Sequence, residues 1–262
     1  MEVLLGFAIA LAISLTGVGA GSLTTPLLIL LFGVSPAVGV GTALTFGAIV
    51  KIASLPVYVV RRQINWRILQ LLFFGGIPGV LVGGLLLDRI KRGPYQRYLY
   101  IALGGLIIAT ALFNLFRIFR PKPQPSNHNR SRLLPWFALP IGAEVGFSSA
   151  GAGALGSLLL LSLTPLSASE VVGTDLCFGL GLAFAGSLIQ LGAGNYDPAL
   201  LVKLVIGGLC GAFMGSFLSG RIAQRPLRIA VLVMLVVLGC ELALQARVGG
   251  PENRAVLAAS QK

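Results

Sequence analysis

Two short glycine-rich runs stand inside segments otherwise fit for a lipid bilayer. Gly17-Val18-Gly19-Ala20-Gly21 interrupts an apolar stretch over residues 3–32, and Ser148-Ser149-Ala150-Gly151-Ala152-Gly153 interrupts another over 133–164. A helix broken at membrane depth leaves backbone groups that lipid cannot satisfy, so a break survives only where protein or a water-filled cavity meets it. The half-helix after each break points its free N–H groups and positive dipole end into that cavity, and the missing side chains let an anion approach the backbone. Gly19, Ala20, Gly21 and Ser22 in one run, with Ser148, Ser149, Gly151, Ala152 and Gly153 in the other, are therefore candidate anion ligands. Thr24, Thr25 and Ser157 stand nearby as hydroxyl donors. The competing reading is that the glycines only let helices pack closely.

A second pair of motifs adds titratable chemistry. Gly41-Thr42-Ala43-Leu44 has a counterpart in Gly173-Thr174-Asp175-Leu176, so a carboxylate replaces Ala43, and Thr42 and Thr174 join the candidate ligands. Asp175 and Glu144 are the acidic residues well inside the later apolar segments, and an intramembrane carboxylate is functional, paired or facing water. Either could carry a coupling proton; the alternatives are a helix cap for Asp175 and an interfacial position for Glu144. Lys51, mid-segment, reads as an intramembrane cation or as a lysine snorkelling to the interface. Cys177 follows Asp175 by two positions, as a substrate contact or as inert packing.

The elements that hold these residues follow from composition. Of 262 residues, 56% are apolar and 11% charged, with a mean hydropathy of +0.91. Soluble domains carry roughly 25% charged residues, so this chain reads as an all-α polytopic membrane protein. Its apolar runs are too long for barrel strands. The net charge of +12 sits in arginine clusters between apolar runs, which is membrane topology rather than nucleic-acid binding. The sequence at Met1-Glu2 lacks the basic start of a signal peptide.

The sequence also matches itself at one fixed offset, without a gap. Gly19-Ala20-Gly21 falls on Gly151-Ala152-Gly153, Phe46-Gly47 on Phe178-Gly179, Gly75, Gly79 and Gly83 on Gly207, Gly211 and Gly215, and Arg89-Ile90 on Arg221-Ile222. Duplicated halves are common in secondary transporters. Residues 1–116 form the first transmembrane repeat and 133–245 the second; 117–132 is a basic, proline-rich linker and 246–262 a polar tail. Each repeat has a broken helix, re-entrant or fully spanning, followed by about three transmembrane helices. Re-entrant hairpins give inverted halves and full spans give parallel halves. Lys and Arg counts of eleven against seven fit both. The glycine triplets form ridges for close helix contact between the halves or, as the weaker reading, in a homodimer.

No GxxxxGK[ST] loop is present, and the one histidine, His128, lies in the linker, so neither ATP hydrolysis nor a zinc or Ser-His enzyme is indicated. No cofactor or metal is expected. The residues describe a carrier for a small anion, with protons as coupling ion and the bilayer as surroundings; a passive anion channel or uniporter is the alternative.

The run from Gly17 to Leu28, followed by Val40-Gly-Thr-Ala-Leu44, resembles the first signature of the sulfite exporter TauE/SafE family, also called the toluene sulfonate uptake permease family. Residues 148–153 with Val172-Gly-Thr-Asp-Leu176 resemble its second signature. The resemblance spans about residues 14–222. It implies a small inner-membrane permease of duplicated helical modules that moves sulfite or organosulfonates, mostly outward. One departure is residues 154–158, which have no counterpart of Pro26.

Overall fold

The computed structural model describes residues 1–16, 19–91, 96–119, 130–151, 153–218 and 224–248. Among them are ten α-helices: α1 (Glu2–Thr16), α2 (Ala20–Phe32), α3 (Pro36–Val60), α4 (Trp66–Lys91), α5 (Gln96–Phe119), α6 (Leu134–Ser148), α7 (Ala154–Leu163), α8 (Ala168–Gly192), α9 (Pro198–Leu218) and α10 (Gln224–Val248). A 3₁₀ turn, Ser131–Leu133, leads into α6. Six helices, α3, α4, α5, α8, α9 and α10, are long and apolar enough to cross a bilayer. The protein is a multi-pass membrane protein. The other four are short: α1 and α6 have 15 residues, α2 has 13 and α7 has 10. At 1.5 Å per residue none exceeds about 22 Å, short of the roughly 30 Å hydrocarbon core.

Both long glycine-bearing segments are therefore pairs of half-helices. The first stops at Thr16 and resumes at Ala20; the second stops at Ser148 and resumes at Ala154. Gly17, Val18 and Ala152, like most of the linker and all but the first residues of the tail, lie outside the described residues. At the second break Ser149 sits at φ 60, its N–H closing α6 on the Val145 carbonyl, and Gly151 and Gly153 sit at φ 87 and 115. Two glycines in the left-handed region suit a segment that must turn without strain.

Element bounds recur at the offset found in the sequence. α1 and α6 run over 2–16 and 134–148, and α3 and α8 over 36–60 and 168–192. The fully buried Phe46 and Phe178 correspond at the same offset; Phe46 packs against Gly208 and Phe178 against Gly76.

The strongest helix pairings all join residues before the linker to residues after it: α4 with α6, α1 with α9, α5 with α10 and α3 with α8. The glycine ridges make two of them. A Cβ on Gly75, Gly79 or Gly83 would overlap the carbonyl oxygens of Pro135, Leu139 and Ala143. On α9, Gly207 and Gly211 press the same way on Val3 and Phe7, and Gly215 lies against Ser14. Residue numbers rise together along each pair, so α4 runs parallel to α6 and α1 parallel to α9. The ridges thus serve contacts within the chain, where small residues let backbones approach closely.

Other contacts fix the remaining directions. Gly41 meets Asn195 and Gly173 meets Gln63, so α3 and α8 are antiparallel; Gly39 against Ile29 and Gly47 against Ala20 make α2 antiparallel to α3. α9 rises beside α3, with Asp197 bonded to Thr42 and Gly208 against Phe46 and Val50. Since α1 follows α9, α1 and α2 run in opposite directions.

Candidate functional site

The two breaks meet. Ser149 Oγ donates to the Gly21 carbonyl at 3.1 Å, leaving Thr25 Oγ1 to donate to Ser149 Oγ at 2.5 Å. This contact depends on Gly21, because a Cβ there would overlap the Ser149 carbonyl oxygen. The remaining hydroxyls of the first break turn back on their own helix: Ser22 Oγ donates to the Gly19 carbonyl at 2.6 Å and Thr24 Oγ1 to the Ala20 carbonyl at 2.7 Å. Ser148 Oγ donates to the Glu144 carbonyl and accepts from the Ala150 N–H.

Neither half-helix that follows a break has a side-chain cap. By contrast α8 opens on a complete capping box, with Ser167 and Glu170 exchanging hydrogen bonds in an exposed position. In the first turns the Ser22 N–H donates to the Gly19 carbonyl and the Ser157 N–H to the Gly153 carbonyl; the N–H groups ahead of them at a helix start are of the kind that bind anions. A narrow cavity lies against the first turn of α2, lined by Ala20, Gly21, Gly47, Lys51, Ser149 and Gly179 among others. At about 10 Å³ it holds about one water. Lys51 lines this cavity. Gly47 and Gly179, and Lys51 and Ala183, face it from positions that correspond in the two halves.

Two carboxylates flank the second break. Asp175 is 6% exposed; its Oδ2 accepts from Ser157 Oγ at 2.5 Å, and its Oδ1 is buried with no hydrogen-bond partner. Gly156, on the first turn of α7, makes room for that oxygen, since a Cβ would overlap it. Lys51 and Arg117 are the cations whose charge bears on Asp175. The Glu144 carboxylate lies against Gly151, where a Cβ would come within 2.7 Å of Oε2, and its Oε1 is buried without a hydrogen-bond partner. Cys177 is buried on α8 but is not part of the cavity wall.

Thr42 and Thr174 stand apart from the cavity, both fully buried. Thr42 Oγ1 accepts from the N–H of Asp197 at 3.2 Å, and Thr174 Oγ1 accepts from the N–H of Asn65 at 3.0 Å. Asp197 and Asn65 in turn accept from Leu200 and Ile68 at the starts of α9 and α4. Each threonine thus ties the start of a long helix in one half to the capped start of a helix in the other. Sequence reading missed Gly156, Asn65 and Asp197; the last two correspond between the halves and are both cap-type residues, which was the available signal.

Six helices long and apolar enough to span, short helices separated by glycine-bearing breaks and a lysine-lined cavity beside the breaks are the parts of a polytopic membrane transporter. The chain belongs to the sulfite exporter TauE/SafE family, whose family model matches residues 3–242. It is similar to the probable membrane transporter protein YjnA of Bacillus subtilis (strain 168), 29% identical over 249 residues covering 92% of this chain and 98% of that protein. The probable membrane transporter protein YdhB of the same organism is 24% identical over 90% of this chain and 97% of its own length. A probable membrane transporter protein of Xylella fastidiosa (strain Temecula1 / ATCC 700964) is 25% identical, covering 83% of this chain and 84% of that protein.

Proposed function

We propose that this transporter is a secondary carrier of a small sulfur-containing oxyanion, sulfite or an organosulfonate, bound midway through the bilayer between the leading turns of α2 and α7. The observation that carries the reading is the meeting of the breaks, Gly21 against Ser149, beside a cavity with Lys51 in its wall. N–H groups of Ala20 and Gly21 on one side, and of the turn at Gly153 on the other, are the donors, while the Ser22 N–H is held by the Gly19 carbonyl; Lys51 supplies the balancing charge. The cavity is too small for an oxyanion as it stands, so substrate enters only when the halves move apart along their glycine contacts. That closed form favours a carrier over a passive pore, whose path stays open.

Proton coupling follows from charge balance, because a buried charge left uncompensated is strongly unfavourable. In the empty site Asp175 offsets Lys51. An arriving anion takes over Lys51, and Asp175 then binds a proton, so anion and proton travel together. Glu144, against the second break, is the other proton carrier.

The halves are read as an inverted duplication. Shared element bounds, the opposite directions of α3 and α8, and the matching ridge contacts on α4 and α9 support it. α1–α2 and α6–α7 are then re-entrant hairpins and each half crosses three times. The linker and the loops at 61–67 and 221–228 share the side with eleven of the Lys and Arg, which is the cytoplasmic side of the inner membrane.

Labelled sulfite flux into liposomes holding the purified protein, with and without an imposed pH gradient, tests the reading. Saturable accumulation above the outside concentration, driven by the gradient, is the expected result. Flux that only equilibrates would overturn the coupled carrier in favour of a uniporter or channel, and absence of flux would overturn the substrate class.

A further inference from the structure

On the linker side of the protein, a groove of about 990 Å³ lies between the first turns of α4 and the 3₁₀ turn before α6. Three arginines line it: Arg67 from α4, and Arg130 and Arg132 from the other wall. All three are exposed, and among the described residues none forms an ion pair with a carboxylate. The floor is apolar. Arg67, Gln70, Leu71 and Phe74 follow the i, i+3, i+4, i+7 stripe of one helix face, so the wall grades from charged to greasy over about 10 Å of depth. Phe74, at the deep end, is 80% exposed.

The opposite wall is held in place. The Arg130 N–H donates to the Leu163 carbonyl at the end of α7, and the Leu133 N–H donates to the Arg130 carbonyl, both at 3.0 Å. Trp66 and Trp136, both largely exposed, stand next to the two walls in sequence, as aromatic residues do at the headgroup level.

We infer that this groove binds one anionic phospholipid of the adjoining leaflet, its phosphate held by Arg67, Arg130 and Arg132 and an acyl chain laid over Leu71 and Phe74. Guanidinium groups match phosphate oxygens in pairs, and a basic pocket between membrane helices is the expected receptor for such a headgroup. A soluble anion would have no use for the apolar floor. The lipid would straddle the α4–α6 seam, touching α4 of the first half and the lead-in to α6 of the second. It would thereby steady the contact along which the halves slide.

Native mass spectrometry of the purified full chain with phosphatidylglycerol or phosphatidylcholine tests this. The expected result is one retained phosphatidylglycerol, favoured about tenfold over phosphatidylcholine, or roughly 1.4 kcal/mol. That preference should vanish in Arg67→Gln/Arg130→Gln/Arg132→Gln and survive in Arg61→Gln/Arg62→Gln, which removes two exposed arginines outside the groove. Should the triple variant not fold, Arg67→Gln and Arg132→Gln singly must each reduce it. Equal retention of both lipids, or a preference untouched by the groove variants, would overturn the site. Displacement of the lipid by millimolar inorganic phosphate would overturn the lipid as its ligand.

Discussion

Thr25 Oγ1 and Ser149 Oγ lie 2.5 Å apart, 124 residues distant in sequence and both buried. The pair joins the first half-helix after one break to the last residue before the other opens. Removing the Ser149 hydroxyl leaves Thr25 Oγ1 and the Gly21 carbonyl each short of a bond in a buried place, at about 1–3 kcal/mol. Ser149→Ala is expected to lower the unfolding temperature in detergent and to reduce flux at least tenfold. Thr25→Ser, which keeps the hydroxyl, is expected to stay near the parent in both.

Gly21 and Gly33 separate two roles of glycine on one helix. A Cβ at Gly21 would overlap the Ser149 carbonyl oxygen, whereas Gly33 has φ 64 with nothing within 4 Å of a Cβ. Gly33→Ala therefore bears only the left-handed conformation, about 1–2 kcal/mol, and should transport normally once folded. Gly21→Ala pries the breaks apart and should abolish substrate binding, measured by equilibrium dialysis of labelled sulfite. Retained affinity in that variant would remove the break contact from the substrate site.

Thr42 and Thr174 illustrate where sequence reading stopped. The half-helices, the glycine ridges and the self-match of the two halves were legible because each leaves a pattern within one segment or a match between two. The threonines were legible as a repeated pair but not in their use, since their partners are backbone N–H groups of turns 155 and 109 residues away. Ser149 was read as a donor to an anion; its bonds to Gly21 and Thr25 run across the two breaks, which no local spacing encodes. Glu144 and Lys51 were each left between an interfacial and a buried reading, because hydropathy gives depth along a helix but not the side that faces a neighbour. The structure puts Glu144 against Gly151 and Lys51 in the cavity wall.

If these threonines act as ties, Thr42→Val and Thr174→Val should have matched consequences. Each leaves one part-buried N–H, of Asp197 or Asn65, without its acceptor, for about 1 kcal/mol. Thermal unfolding is expected to fall by similar amounts in the two variants, with the KM for sulfite within about twofold of the parent. A large rise in KM without loss of stability would return both hydroxyls to the substrate.

Lys51 and Asp175 are expected to be thermodynamically coupled. Asp175→Asn keeps a partner for Ser157 but leaves Lys51 without an opposing charge, and Lys51→Gln does the converse. The double variant should be more stable than the sum of the single losses by more than about 0.5 kcal/mol, the limit for independent sites. In flux assays Asp175→Asn should lose its response to an imposed pH gradient while still exchanging substrate, and Lys51→Gln should bind it at least tenfold more weakly. Additive stabilities together with an intact gradient response would show that the two side chains do not balance each other.

Helix directions also commit the protein to a topology. α10 is antiparallel to α5, since Gly104 packs on Gly239 and Ala243 while Gly239 packs on Ile108. α5 in turn follows α3 by way of α4, so α10 ends on the side where α1 and α3 begin. On the proposed inverted topology, with the basic linker in the cytoplasm, both ends of the chain are expected on the outer side. Alkaline phosphatase fused after Lys262 should therefore be active in whole cells, and green fluorescent protein at the same place dark. The reverse pattern would overturn the cytoplasmic placement of the linker or, with the linker kept inside, require eight crossings and parallel halves, which the antiparallel packing of α3 on α8 disfavours.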